Sequence, residues 1–477
     1  MIFSTLLSKR LSFFSAGLLI TLNVVAQSEV HRTENWISNS GIGRLEHSNG
    51  YTLLSGSFTE VGAYTGSAVL TDAAGTVDMT MPKVNGDVYV TAPDGNGGWY
   101  VGGYFDAVDT VKILNLAHIR SDKTVDRTWK PNPDNSPSAI TVSGNTLYVG
   151  GYFTTMAGQT RNRIAAFDNT TGALLPWNPS ANNGVESIEV AGALVYVGGY
   201  FTNIGGAPRS GLAALSTTTG LATSWNPIIT NTFSAIVKAT AVDISTNTIF
   251  IGGNFNSAGG QPRIGVARLS LTTALATGWI ANTNVAGYVE DILLSGTTLF
   301  IGGSFTTMNG AARISIAAVP TLTTGVLPWN PILDGFDYVY DMSIAGNTLY
   351  FAGYFDSVNA LPRANVAAVD ATSGVLQNWA PRPNESLNSI NATAASVFMG
   401  GYMNGVNWVS RNEGFALFDD ATDQVWPFQL DLNGGVVNTI AVKDNVLYIG
   451  GQFVAINKTP RNNLAAIDLT TGQILPW

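Results

Sequence analysis

Leu147-Tyr148-Val149-Gly150-Gly151-Tyr152-Phe153 decides how the rest of this sequence is read. Variants of the string recur at Trp99–Phe105, Val195–Phe201, Ile249–Phe255, Leu299–Phe305, Leu349–Phe355, Val397–Met403 and Leu447–Phe453, with a degenerate copy at Thr52–Phe58. With the second glycine as register mark, the copies fall at Gly56, Gly103, Gly151, Gly199, Gly253, Gly303, Gly353, Gly401 and Gly451. The spacings are 47, 48, 48, 54, 50, 50, 48 and 50 residues. A fixed period of this size marks a repeat architecture, in which each unit is one supersecondary element stacked on its neighbours. Nine units use nearly the whole chain and leave no room for a separate catalytic domain.

One unit shows the internal plan. Ala139–Ser143 alternates and ends at the turn pair Gly144-Asn145, and Thr146–Phe153 follows as a second strand. Thr154–Thr160 reads as a loop, Arg163–Asp168 as a third strand, and Asn169–Gly172 as a turn. Ala173–Trp177 reads as a fourth strand closed by Asn178-Pro179, where a proline removes the ladder donor. Four short strands per unit at this period predict propeller blades. The expected fold is therefore all-β, a single propeller of eight or nine four-stranded antiparallel blades over residues 27–477.

Tryptophan closes the fourth strand at Trp129, Trp177, Trp225, Trp279, Trp329, Trp379, Trp426 and Trp477. Trp36 lies one fourth-strand interval before the first unit, a position from which an N-terminal strand can complete the last blade and remove an open edge. Since the ninth unit carries its own Trp477, either one strand is redundant or the chain is a fragment. Ten residues past the register glycine stand Arg161, Arg209, Arg263, Arg313, Arg363, Arg411 and Arg461. They are expected to dock blades, by stacking on an indole or by tying loop carbonyls. The alternative is a basic ring that holds an anionic ligand. Asp168, Asp370, Asp419 and Asp468 precede turns and read as Asx caps.

Composition narrows the function. The 477 residues include 12% charged side chains, half the share usual for a soluble domain, together with 52 Gly, 3 His and no Cys. Thiolate catalysis and Cys-ligated metal or haem are excluded. The three histidines form no metal-spaced cluster, and no nucleophile-elbow, zincin or phosphate-loop motif is present. Net charge is −9, unsuited to a nucleic-acid phosphate backbone. Lys9-Arg10, the apolar run Leu11–Val25 and the small residues ending at Ala26 read as a signal peptide over 1–26. Its apolar run is shorter than a membrane span. The mature chain is expected to be secreted or at the cell surface, with the periplasm as an alternative, and to be of bacterial origin, monomeric, and without membrane span, cofactor or metal.

The strings Ala165-Ala166-Phe167-Asp168 to Gly172 and Trp177, Ala367 to Trp379 and Ala465 to Trp477 resemble the tryptophan-docking repeats of quinoprotein-type propellers. The whole unit, with Gly-Gly-x-Phe-Thr and Trp-Asn-Pro, is similar to the delta-sixty type propeller repeats of secreted bacterial proteins. The quinoprotein resemblance would imply a cofactor covered by a vicinal cysteine pair. This chain has no cysteine, so the resemblance implies a scaffold instead.

Function is expected where the repeat breaks. Asp334, Phe336, Asp337, Tyr338, Tyr340 and Asp341 gather acids and aromatics after one Trp-Asn-Pro, and Trp408 interrupts an ordinary loop. These are the candidate ligand contacts, with no catalytic, cofactor or metal residue assigned. The expectation is a non-enzymatic binding or scaffold propeller contacting a protein or polysaccharide through loops on one face. The alternatives are a carbohydrate-active lyase or hydrolase using acids such as Asp337 or Asp341, and a repeat module of a longer secreted protein.

Overall fold

The computed structural model describes residues 36–38, 42–48, 51–56, 60–232, 234–284, 287–333, 337–403, 405–410, 415–419, 424–425, 430–432, 435–443 and 446–476. Apart from one short 3-10 turn, Ile244–Thr246, every regular element among them is a strand. Among the described residues, repeats two to seven and nine each fold as a meander of three antiparallel strands. In repeat three these are Pro137–Ser143, Thr146–Gly151 and Ile164–Asp168. The fourth strand expected from the sequence shrinks to a single bridge, Phe167 to Leu174. Its backbone is committed elsewhere: the Leu175 carbonyl accepts from Arg161, and Pro176 has no N–H to donate. The expected loop Thr154–Thr160 folds into a small hairpin, Thr155–Met156 against Gln159–Thr160.

Among the described residues, seven blades form a closed ring. Their innermost strands are Val84–Pro93 (blade I), Pro137–Ser143 (II), Val185–Ala191 (III), Ile236–Asp243 (IV), Val289–Ser295 (V), Tyr338–Ala345 (VI) and Leu387–Ala392 (VII). Each packs on the next, and VII packs back on I. The close approach of neighbouring blades runs through the first glycine of each pair. A methyl on Gly150 would lie 2.5 Å from Val185 Cγ1 of blade III, and one on Gly400 of blade VII 2.4 Å from Val88 Cγ1 of blade I. Six of the seven ring blades have glycine there, leaving the space that the next blade fills, and blade VI has the small, fully buried Ala352.

The blade count therefore differs from the eight or nine expected. The cause is a reciprocal exchange of third strands. Ala68–Asp72, from the first repeat, pairs with Ser396–Gly401 of the eighth and completes blade VII. Phe415–Asp419, from the eighth repeat, pairs with Tyr51–Gly56 of the first. That second sheet (VIII) lies outside the ring. The ninth repeat, Val436–Lys443, Val446–Gln452 and Leu464–Asp468 (sheet IX), packs beside it. Ring closure thus uses Ala68–Asp72 and not the segment of Trp36, whose strand Trp36–Ser38 pairs with Glu60–Tyr64.

The indoles bind blades together in a repeated geometry. Trp225 meets Tyr196 of its own blade edge-to-face at 5.3 Å, and its N–H donates to the Ser270 carbonyl of the next blade at 3.0 Å. Trp129, Trp177, Trp279 and Trp329 donate likewise to Gly172, Ser216, Pro320 and Asp370. Trp379 lies against Gly75, just past the exchanged strand. Gly172 adopts φ +70°, and a methyl there would meet Trp129 Cδ1 at 2.7 Å. The side chain of Trp36, and Trp426 and Trp477 altogether, lie outside the described residues.

Trp225→Phe keeps the ring contact and removes the N–H donor. It should lower stability in urea unfolding by about 1 kcal/mol. Trp225→Ala should lower it by about 3–5 kcal/mol.

Candidate functional site: the axial mouth

Every innermost ring strand carries a β-bulge near its start. The register slips between Val185 and Ser187, and at the matching place in all seven blades. A bulge leaves one residue unpaired and re-aims its side chain. The seven bulged residues are Tyr89, Ser138, Glu186, Lys238, Glu290, Tyr340 and Asn388, and all seven line the cavity on the ring axis, about 640 Å³ in volume.

Chemistry is divided around this ring. On one arc Lys238 Nζ stands 3.4 Å from Glu186 Oε2 and 3.5 Å from Glu290 Oε2. The ammonium also lies over the Tyr200 ring at 5.6 Å. Burial alone would pull Lys238 down, but Glu186 and Glu290 outweigh it and hold its pKa above the ordinary lysine value. The Tyr152 hydroxyl donates to Glu186 Oε1 at 2.5 Å. The other arc is aromatic: Tyr338 stacks on Tyr340 with centroids 5.9 Å apart. Tyr89 meets Tyr402 edge-on at 6.1 Å, across the seam where blade VII joins blade I. Burial, with Tyr402 and Asp87 adding, pushes the Tyr89 phenol up to about 12. Beside the cavity tyrosines Tyr89 and Tyr340, Tyr104 is 64% and Tyr354 58% exposed, and Tyr338 and Tyr402 are also exposed.

Just below the bulge, polar side chains tie blades together. Asp291 Oδ2 accepts from the Met342 amide at 3.0 Å, Asp341 Oδ2 from Ile390 at 2.7 Å, and Ser389 Oγ from Thr91 at 3.1 Å. Met342 N–H also faces Asp341 Oδ1 at 2.9 Å, so the two carboxylates converge on one amide. Burial pushes Asp341 up to about 7, and burial together with the Asp341 charge raises Asp291 well above the carboxylate range.

Of the residues proposed from sequence, Tyr340 and Asp341 line this cavity and Tyr338 sits at its rim. Asp337 is set back from it, its carbonyl accepting from Ser315 Oγ at 2.5 Å. Asp334, Phe336 and the side chain of Trp408 lie outside the described residues. The arginines do not stack on indoles in the described blades. Arg161 Nη1 donates to the Thr160 carbonyl and Nη2 to that of Leu175, both at 2.9 Å. Arg209, Arg263, Arg313, Arg363 and Arg461 repeat the bridge, which directs their charge into the backbone. Arg411 lies outside the described residues. Asp168 caps its turn by accepting from Thr170 and Thr171 N–H at 3.0 and 2.7 Å, and Ser216 does the same in another blade.

Sequence reasoning missed Tyr89, Tyr152, Glu186, Lys238, Glu290 and Asn388. The available signal was the residue after the first apolar position of each inner strand. It varies from Tyr to Ser, Glu, Lys and Asn after a residue that is Val in five blades and Pro or Leu in the other two.

A second polar cluster lies away from the axis, where blade I meets blade II. His118 Nε2 is 3.0 Å from Asp94 and its Nδ1 3.6 Å from Asp126, with Tyr100 stacked on the ring at 4.6 Å. Among the described residues no group of His, Asp and Glu is arranged to hold a metal ion, and no helix is long and apolar enough to cross a membrane.

Comparison with known proteins agrees on architecture. Residues 245–271 match the family described as "Domain of unknown function (DUF5122) beta-propeller". No curated protein matches the sequence significantly. Similar solved structures include the WD40 β-propeller domain of Doa1, at 12% identity and TM-score 0.44, covering 74% of this chain and 98% of that one. Another is the extracellular domain of BT3049 from B. thetaiotaomicron, described as a hybrid two component system. It has 12% identity and TM-score 0.45, and the match covers 86% of this chain and 60% of that one. The computationally designed protein Ika8 is similar at 13% identity and TM-score 0.34, over 71% and 85% of the two chains. These likenesses carry no argument about ligand or activity; the strand pairings above make this chain a β-propeller.

Asp341 gives a pH signature. Its folded value of about 7 lies above the ordinary 3.8, so between these values the folded state holds more protons than the unfolded. That contribution is fully present below about pH 4 and is lost as pH rises toward 7. Glu189, pushed up to about 7 by burial, acts in the same direction. Melting temperature should therefore decline across this window, and Asp341→Asn, which keeps an acceptor for Ile390, should flatten the decline.

Proposed function

We propose that the chain is an exported, non-enzymatic binding propeller whose axial mouth takes a hydroxyl-rich saccharide chain. The single observation that carries this reading is the ring of seven bulged side chains. It joins exposed tyrosine faces to hydrogen-bonding groups held at fixed positions. Aromatic faces suit the apolar face of a pyranose ring. Glu186, Lys238, Glu290 and Asn388 suit its hydroxyls, and Lys238 already spans two carboxylates instead of presenting a free positive charge. The acidic chain favours a neutral or amine-bearing glycan over a polyanionic one. Export follows from the reading of residues 1–26 as a signal peptide.

A carbohydrate-active enzyme is the second reading, favoured by one observation: Asp291 and Asp341 converge on the Met342 amide. Paired carboxylates are the usual machinery of glycoside hydrolysis. Against it, both acids accept amides of the following blade, a role Ser389 fills at the next interface without an acid. That favours a structural link.

A glycan array followed by calorimetric titration tests the proposal. Tyr340→Ala and Tyr402→Ala should each weaken binding about tenfold, the size of one aromatic contact, with melting temperature unchanged. Incubation of a bound glycan should release no new reducing ends. Unaltered affinity in both variants would remove the mouth as the site, and turnover abolished by Asp341→Asn would favour the enzyme.

A further inference from the structure

Carboxyl groups outnumber cations in the axial cavity. Glu186, Glu290, Asp291 and Asp341 line it, and among the described lining residues Lys238 is the one cation. A single ammonium between Glu186 and Glu290 neutralises one of the two. Glu186 has a second partner in the Tyr152 hydroxyl, while the cation beside Glu290 is that same Lys238, at 3.5 Å. Lys238 also shows how this wall takes an ammonium: a carboxylate on either side, and the face of a tyrosine, Tyr200, against it.

The aromatic arc, over blades VI, VII and I, offers the same two kinds of group, and none of its lining residues is a cation. In blade VI Tyr338 pairs across the strands with Tyr354 and stacks on Tyr340. In blade I Tyr104 pairs with Asp87, two residues before the bulged Tyr89, which meets Tyr402 of blade VII. Residues directly opposite on antiparallel strands hold their side chains side by side. Glu290, at the bulge of blade V, flanks the arc at one end, and Asp87 flanks it at the other. The phenols feel both charges. Burial and then Glu290 raise the Tyr340 pKa, and burial, then Tyr402 and Asp87, raise that of Tyr89. Burial also raises Asp87, the direction a carboxyl takes where no cation offsets its desolvation.

Resting on the reading of the mouth as a saccharide site, we propose that its glycan bears free amino groups, and that a protonated amine seats on the tyrosine arc between Glu290 and Asp87. A cation over a tyrosine face is attracted by the ring quadrupole, more strongly where water is excluded. A neutral glycan would leave the excess carboxylates of the mouth without a partner. Asn388 and Ser138, which also line the cavity, suit sugar hydroxyls, for which the lysine side chains of a cationic peptide have no use.

Calorimetric titration with a glucosamine oligomer and with its fully N-acetylated counterpart of the same length tests the proposal, at a mildly acidic pH that protonates the amines. The amine form should bind at least about tenfold more tightly. Glu290→Gln and Asp87→Asn keep the side-chain shapes and remove a charge, and each should lower the ratio of the two affinities about threefold. Asp122→Asn, on an exposed turn outside the cavity lining, should leave the ratio unchanged. Melting curves establish that the variants are folded. Equal affinity for the two oligomers, preference for the acetylated one, or a ratio unmoved by both Glu290→Gln and Asp87→Asn would overturn the proposal and leave the saccharide reading standing. Tighter binding of an oligolysine of the same charge would overturn it in favour of a cationic peptide. Binding of neither oligomer would overturn both the proposal and the reading on which it rests.

Discussion

The contact on which the structure rests is the one between consecutive blades. In six of the seven ring blades a glycine leaves room for a valine or proline of the next blade, and in five an indole beyond it donates to a backbone carbonyl of the next blade. Either half alone is modest. An edge-to-face aromatic pair contributes about 0.5–1.5 kcal/mol beyond its burial, and a neutral hydrogen bond about as much net. Repetition around a closed ring makes them decisive, because every blade is held on both faces. Fully buried phenylalanines such as Phe153, Phe201, Phe255, Phe305 and Phe355 recur at one register position and fill the blades between these contacts.

Ring closure has a chemical consequence. Bringing blade VII against blade I places Tyr402 beside Tyr89 and lets Asn388 and Asn391 donate to the Val88 and Thr91 carbonyls. The aromatic arc of the mouth is thus assembled from residues about 300 positions apart. The same constraint supplies the ring of bulged residues, since the bulge that bends each inner strand also turns one side chain onto the axis. Scaffold and site are one feature of the backbone, with identity varied at the bulged residue and at the one after it.

The sequence revealed what is local. Glycine pairs, turn aspartates and strand-final tryptophans recur within each repeat, and the strands and turns follow from them. Tyr338, Tyr340 and Asp341 were legible as a departure from the pattern. The blade number was not legible, because it depends on Ala68 pairing with Gly400 in preference to a strand of its own repeat. Local propensity is the same for both partners. The bulge residues were hidden for another reason: a bulge shifts the two-residue alternation by one, so Glu186 and Lys238 read as ordinary solvent-facing strand positions. Arg161 and its equivalents, expected to dock blades by stacking on an indole or tying loop carbonyls, tie carbonyls within one repeat, as Arg161 does at Thr160 and Leu175. Their spacing showed the class of partner and not which element they join.

The exchange of third strands is the central claim, and a chain without cysteine allows it to be tested directly. In the structure Asp72 faces Ser396, whereas an unexchanged first repeat would set Asp72 opposite Tyr51, as Asp168 stands opposite Thr146. Two double variants, Asp72→Cys with Ser396→Cys and Asp72→Cys with Tyr51→Cys, should be oxidised in the folded state and mapped by peptide mass. Quantitative intramolecular disulfide in the first and none in the second is the expected result. The reverse would mean that repeats fold consecutively, that blade VII closes differently, and that the tyrosine mouth is not built as described.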